Sequence, residues 1–271
     1  MGDARKPEHV AMAADLIADG KTVGFFNRSV CALLGSGDTR AFPDDVIRIK
    51  GEKRRSRPVG CILPAATMVA KVDGVKIPAP LRMVFTSATL LQDCLAGLAF
   101  ARVPLREDFA ANIPEHLLSR RADGTAVLMG CDPDGYAPLR NVMLASMARG
   151  VRIMAGTSMN PSGSPEITRQ QDGIDFARHV GLPMFLGDPL SRGGLHGSPT
   201  VLSVDADALR LIRDSFLPVR ILEQILGYSI KRADDMREAR QDQISFEEAQ
   251  NAGLSPSELR ELAIAAFDAL T

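Results

Sequence analysis

The sequence predicts an α/β fold that is followed by a helical C-terminal segment. Two observations carry this prediction. Up to Asp207, short apolar runs typical of buried strands alternate with longer patterns typical of helices. From Asp207 onward the composition shifts toward helix formers. A length of 271 residues, 45% of them apolar, suits one large domain with an appendage as well as it suits two domains.

The first elements are predicted from the spacing of apolar residues. Residues 7–20 carry them at Val10, Ala13 and Ile17, on one face of a helix that ends at a glycine. Residues 21–26 change to an extended, β-prone run, and residues 44–49 form a second, short helix.

Further elements alternate along the chain. Short apolar runs predict strands at residues 59–63, 81–86, 125–129, 151–155, 184–186 and 200–204, and helical patterns cover residues 90–100 and 139–149.

The C-terminal segment is predicted to be entirely helical. Helix formers fill residues 209–226, and an acidic and basic stretch covers residues 231–242. A capping box at residues 255–258 then starts a final amphipathic helix. Its apolar stripe needs a partner surface, and docking on the domain and dimerisation are both open.

Overall charge excludes a general affinity for polyanions. The 32 basic and 33 acidic side chains leave a formal charge of −1, so any anion binding has to be local. No uncharged stretch approaches the roughly 18 residues of a membrane span, and the charged start of the chain differs from a signal peptide. We therefore expect a cytoplasmic protein with no membrane partner.

Metal and redox motifs are missing from the sequence. The four cysteines are widely spaced without a C-x-x-C pair, and the four histidines lack ligand spacing. We expect no metal site of the protein's own and interpret the cysteines as buried thiols.

Two segments are candidates for anion binding. Residues 48–57 hold six cations opposed only by Glu52, which suits a phosphate, although a solvated surface loop remains an alternative. Residues 157–163 (T-S-M-N-P-S-G) follow the predicted strand 151–155. Their hydroxyl, amide and backbone N–H groups suit an anion or a nucleotide at a strand's carboxyl end, although an ordinary polar turn has the same composition.

Together these segments resemble the YrdC/YciO family, whose best-known members are threonylcarbamoyl-AMP synthases. Residues 157–163 resemble the family's T-S-A-N-x-S-G, and residues 26–33 stand in the place of P-T-D-T-V-Y-G-L. Lys50 follows Ser29 by 21 residues, at the position of the lysine in I-x-x-I-K-G-R-P. Residues 198–203 resemble P-S-T-V-V-D, and residues 211–213 resemble the following I-L-R.

The resemblance implies a twisted mixed α/β sheet with flanking helices around a cationic cavity. It places a YrdC-like nucleotide-binding domain at residues 1–215 and the helical extension at residues 216–271. It also implies that threonine and bicarbonate form a carbamate, which attacks the α-phosphorus of ATP to release pyrophosphate and a mixed anhydride used in tRNA modification. ATP, with Mg²⁺, is the implied cofactor, and an amino acid is the implied acceptor.

Site residues are implied position by position. Nucleotide binding falls to Lys50, Lys53, Arg55, Ser158, Asn160, Thr200 and Arg213, and substrate binding falls to Ser29 and Thr157. No residue is implied to act as a catalytic acid or base.

Departures from the family pattern leave two classes of function open. Glu52 replaces the arginine of K-G-R-P, and residues 129–133 (M-G-C-D-P) lack the arginine of V-R-V-P that faces a substrate carboxylate. One class is a divergent carbamoyl-amino-acid adenylate former. The other is a catalytically inactive nucleotide- or double-stranded-RNA-binding module. For the basic segment we expect weak, salt-sensitive contact with RNA or tRNA at most.

Overall fold

A computed structural model of the chain describes residues 1–27, 30–191, 198–214, 219–237, 258, 260, 261 and 263–265. Within these ranges a single mixed sheet contains twelve strands. They are β1 (Gly2–Asp3), β2 (Val23–Asn27), β3 (Val30–Ser36), β4 (Gly60–Ile62), β5 (Ala99–Pro104), β6 (Leu118–Arg120), β7 (Ala126–Cys131), β8 (Met154–Ser158), β9 (Phe185–Gly187), β10 (Thr200–Val204), β11 (Leu209–Arg213) and β12 (Ile230–Arg237).

The strand order is β1-β9-β2-β3-β8-β4-β7-β5-β10-β11-β12, with β6 paired to β7. Neighbours β2–β3, β3–β8, β4–β8 and β5–β7 are antiparallel, whereas β4–β7 and β5–β10 are parallel. The prediction of a mixed α/β sheet with flanking helices is thereby confirmed.

The helices of the described residues are α1 (Pro7–Ala18), α2 (Ala41–Lys50), α3 (Ala65–Val69), α4 (Ala79–Thr86), α5 (Ala88–Leu95), α6 (Glu107–Ala110), α7 (Ala137–Met147), α8 (Gln170–His179) and α9 (Val219–Leu226). Apolar residues of α1 and α7 cover one face of the sheet, and those of α2 and α8 cover the other. Adjacent residues Phe25 and Phe26 point into these two different cores, as strand alternation requires.

Three predicted elements have the wrong type. Residues 81–86 lie in helix α4, because Pro80 suits its first turn and Leu81 and Phe85 are buried one helical turn apart. Residues 209–213 and 230–237 are strands β11 and β12 rather than helices, since they pair with each other at the sheet edge. Sheet pairing overrides local helix propensity there.

The final helix docks on the domain. Residues 258, 260, 261 and 263–265 are helical, and Ala263 and Ile264 are buried in the same core as α3, α4, α5 and α9. For these residues the structure shows docking on the domain, one of the two alternatives that the sequence left open. Residues 255–257 of the predicted capping box 255–258 lie outside the described residues.

Two further expectations concern the cysteines and the membrane. All four cysteines are free and buried, as predicted. Among the described residues, no helix combines the length and the apolar character needed to cross a bilayer.

Candidate functional site

A concave cavity lies on the sheet face that α1 and α7 partly cover. Its floor is formed by residues of β2, β3, β4, β5, β7 and β8, and its volume is about 160 Å³. Gly60 and Gly156 pair across β4 and β8 at its centre. A Cβ atom on Gly60 would lie 2.8 Å from Phe100 Cε1, so glycine at this position leaves room for the Phe100 ring.

The polar turn 157–163 forms one end of this cavity. Strand β8 ends at Ser158, and both Thr157 and Ser158 line the wall. Ser158 Oγ donates to Asn160 Oδ1 at 2.7 Å, and Asn160 Nδ2 donates to the Ser164 carbonyl at 2.8 Å. These bonds fix the turn at the carboxyl end of a strand, where we predicted it.

Lys50 is the last residue of α2 and lies directly behind this turn. Its ammonium donates to Asn160 Oδ1 at 3.0 Å, to Ser158 Oγ at 3.3 Å and to the Ser158 carbonyl. The backbone N–H of Ser162 donates to the Lys50 carbonyl at 3.0 Å. Lys50 is 7% exposed and meets the cavity wall through Ser158.

Burial, together with the positive charges of the nearby Arg54 and Arg213, lowers the pKa of Lys50 to about 7. The carboxylate of Glu166 acts in the opposite direction. Three cations and one carboxylate therefore share this end of the cavity, and an additional anion would favour the charged form of Lys50.

Two arginines in the wall are held by carbonyl groups. Arg213 donates twice to the Pro199 carbonyl, at 3.0 and 2.7 Å, and Arg54 donates to the carbonyls of Arg57 and Pro58 at 3.0 and 2.8 Å. Both side chains line the cavity. Backbone acceptors orient the guanidinium groups without neutralising their charge.

Lys53 and Arg55 occupy a different place from Arg54. Residues 52–54 form a 3₁₀ turn after Gly51, whose φ is +90°. This turn leaves Lys53 and Arg55 exposed, and Arg55 pairs with Glu52 at 2.8 Å. Of the cations that follow Glu52, the structure brings Arg54 into the wall.

The remaining predicted residues are spread around the site. Thr200 is fully buried in β10, and its hydroxyl has no hydrogen-bond partner among the described atoms. Ser29 lies outside the described residues. Lys50, Thr157, Ser158, Asn160 and Arg213 are thus brought together, whereas Lys53 and Arg55 are not.

The opposite wall contains the segment M-G-C-D-P. Met129, Cys131, Asp132 and Pro133 line the cavity beside Tyr136. Asp132 accepts backbone N–H groups from Ala65 at 2.5 Å and from Asp134 at 2.8 Å, and burial raises its pKa. Burial also raises the pKa of the Cys131 thiol, which disfavours the reactive thiolate. Among the described lining residues the cations are Arg54 and Arg213.

Sequence reasoning left four residues of the site unassigned: Asp132, Ser198, Glu166 and Arg54. The segment that contains Asp132 was noted only because it lacks the arginine of the family pattern. Ser198, which lines the cavity, and Glu166 were not predicted as site residues. Glu166 contacts Ser198 across 32 residues of sequence, and no local pattern marks such a contact. Arg54 carried a usable signal, since it lies within the basic segment.

Comparisons with solved structures identify the architecture. P. abyssi Sua5 complexed with L-threonine is similar at a TM-score of 0.63 and 18% identity, over 84% of this chain and 60% of that one. E. coli YciO is similar at a TM-score of 0.58 and 12% identity, over 79% of this chain and 92% of that one. HypF from T. kodakarensis is similar at a TM-score of 0.50 and 17% identity, over 75% of this chain and 24% of that one.

This chain spans about 60% of the length of Sua5. No protein-family model matches it, and no curated protein sequence matches it either. The order and pairing of its strands together with these structural similarities show that the chain has the YrdC/Sua5-like fold.

Proposed function

We propose that the cavity binds ATP or AMP and that the protein forms a carbamoyl-amino-acid adenylate for tRNA modification. One observation carries the proposal: Lys50, Arg54 and Arg213 converge on a hydroxyl- and amide-rich turn at one end of an otherwise largely apolar cavity. Phosphates would lie at the cationic end, near Lys50, Ser158, Asn160 and Arg213. The base and ribose would lie over the floor.

The chemistry requires charge neutralisation more than it requires a protein acid or base. A carbamate oxygen attacks the α-phosphorus, the bond to the β-phosphate oxygen breaks, and pyrophosphate leaves with its electrons. Negative charge builds up on the phosphate oxygens, where Arg54 and Arg213 would stabilise it electrostatically. Groups that are already oriented by Pro58 and Pro199 carbonyls need little rearrangement.

Two related structures support this assignment through what they contain. One is Sua5 complexed with L-threonine, and another is full-length HypF in the phosphate- and nucleotide-bound form. Among the described residues, no cluster of three histidine, cysteine or acidic side chains is suited to a metal ion. Mg²⁺ commonly binds through substrate phosphates, and the triphosphate would supply ligands for it here.

A second candidate is a nucleotide- or double-stranded-RNA-binding module without catalysis. The observation that favours it is Asp132 in the wall where a substrate carboxylate would need a cation. A carboxylate placed beside it would be repelled and poorly solvated. Both candidate functions include nucleotide binding, and only the first includes an amino-acid acceptor.

Calorimetry with ATP and AMP tests the shared part. Arg213→Ala should weaken binding ten- to hundredfold, because a charge-assisted hydrogen bond contributes about 1.5–3 kcal/mol. Arg55→Ala is the matched control, since Arg55 is exposed and paired with Glu52. No binding of either nucleotide to the unmutated protein would refute the proposal.

Pyrophosphate release from ATP then separates the two candidates. An adenylate former should release pyrophosphate only when an amino acid and bicarbonate are both present. A binding module should bind ATP and release none under any of these conditions.

A further inference from the structure

Glu166 forms an unusual contact at the cationic end of the cavity. It lies in the loop that joins β8 to α8, and its two carboxylate oxygens accept both donors of Ser198. The backbone N–H of Ser198 donates to Oε2 at 2.5 Å, and the Ser198 hydroxyl donates to Oε1. Ser198 is buried and lines the cavity immediately before β10.

These two donors are of the kind that bind phosphate oxygens. A backbone N–H and a hydroxyl on the same residue, directed at one pair of oxygens, match a carboxylate and a phosphate equally well. Lys50, Arg54 and Arg213 surround the same end of the cavity, and the charge of Glu166 acts on Lys50 against those of the two arginines. Glu166 therefore supplies negative charge at a cationic site where a bound anion would otherwise supply it.

We propose that Glu166 is an internal substitute for a ligand phosphate and determines which anions the cavity accepts. A ligand has to take the Ser198 donors from Glu166 and overcome its charge. A small anion with a single charge gains too little binding free energy to displace Glu166, whereas a polyphosphate that contacts several cations at once gains enough. The inference rests on the anion site of the proposed function.

Calorimetric titration with inorganic pyrophosphate tests the inference. Glu166→Gln keeps the shape of the side chain and removes its charge, so pyrophosphate should bind about ten- to hundredfold more tightly, as expected for one charge-assisted hydrogen bond. Glu52→Gln is the matched control. It removes one acidic charge from the basic segment at an exposed position and should change the affinity less than about threefold.

The alternative is that Glu166 only holds Ser198 in place. In that case Glu166→Gln would leave the affinity unchanged or weaken it, and either result overturns the inference. Glu166→Ala is a second variant if the glutamine does not fold well. Adding Ser198→Ala to Glu166→Gln should remove most of the gain, and a gain that survives fully would also overturn the inference.

These outcomes also separate the inference from the proposed function. Pyrophosphate binding to the unmutated protein with no gain in Glu166→Gln refutes the role of Glu166 alone. If neither protein binds pyrophosphate, ATP or AMP, both the inference and the proposed function are wrong.

Discussion

Replacing Lys50 with methionine tests the cationic end of the site at its most buried residue. Methionine keeps the unbranched side chain up to the ε position and removes an ammonium that donates to Asn160 Oδ1 at 3.0 Å and to Ser158 Oγ at 3.3 Å. Because Lys50 reaches the wall through Ser158, we expect Lys50→Met to lose about 1.5 kcal/mol of ATP binding free energy, the lower end of the range for a charged hydrogen bond. ATP should bind about tenfold more weakly.

The pH dependence of ATP binding should change as well. Burial lowers the pKa of Lys50 to about 7, and an anionic ligand favours the protonated form. The affinity of the unmutated protein should therefore fall as the pH rises through about 7. Lys50→Met should lose this part of the dependence and retain the part that belongs to the titration of ATP itself.

The free energy of unfolding should change with pH in the opposite direction. An unfolded lysine keeps its ordinary pKa of 10.5, so between pH 7 and that value the unfolded chain binds more protons than the folded one. Stability should rise with pH across this window, by at most about 1.4 kcal/mol per pH unit. Lys50→Met should remove this contribution.

Calorimetry at pH 6 and 8.5 and urea unfolding between pH 7 and 9.5 measure both effects. Lys53→Met is the control, because Lys53 is the exposed lysine of the same segment. Parallel pH profiles for the unmutated protein and Lys50→Met, or equal ATP affinities, would show that the ammonium takes no part in the site.

Three further predictions follow from other regions. Threonylcarbamoyl-AMP synthesis should be slower than about 1 per second, because Glu52 reverses a charge of the family pattern and the wall segment 129–133 contributes Asp132 but no cation for a substrate carboxylate. Ordinary turnover in a coupled pyrophosphate assay would contradict this. Binding of tRNA through residues 48–57 should give a log–log salt slope near −3.5 for about five single-stranded phosphate contacts at about −0.7 each, and tight, salt-insensitive binding would exclude this segment. Arg260→Ala should lower the free energy of unfolding, measured with urea, by about 1–3 kcal/mol, because the buried guanidinium donates to the Ala96 carbonyl at 3.0 Å and pairs with Asp134. Arg140→Ala is the control: it removes a half-exposed partner of the same Asp134 and should lower the free energy of unfolding by less than about 0.5 kcal/mol. Equal losses in these two variants would refute the role of burial.

Local patterns were sufficient for much of the architecture. Helix α1, strands β2 and β10, and the polar turn after β8 lie where apolar spacing and turn residues predict them. The same reasoning failed at β11 and β12. Strand β11 pairs with both β10 and β12, and β12 forms the sheet edge; helix propensity is too weak a preference to resist this pairing.

The sequence by itself determined which residues are available for an anion site: a cationic segment, a polar turn after a buried strand, and Arg213. Only the tertiary structure decided which of them meet. Lys50 and Ser158 are 108 residues apart, and they touch because α2 ends behind the carboxyl end of β8. A single 3₁₀ turn puts Arg54 in the wall and leaves Arg55 exposed, and the contact of Glu166 with Ser198 depends on how two distant loops approach each other. Periodicity describes how a segment folds, whereas the partners of a side chain are set by the packing of the whole sheet.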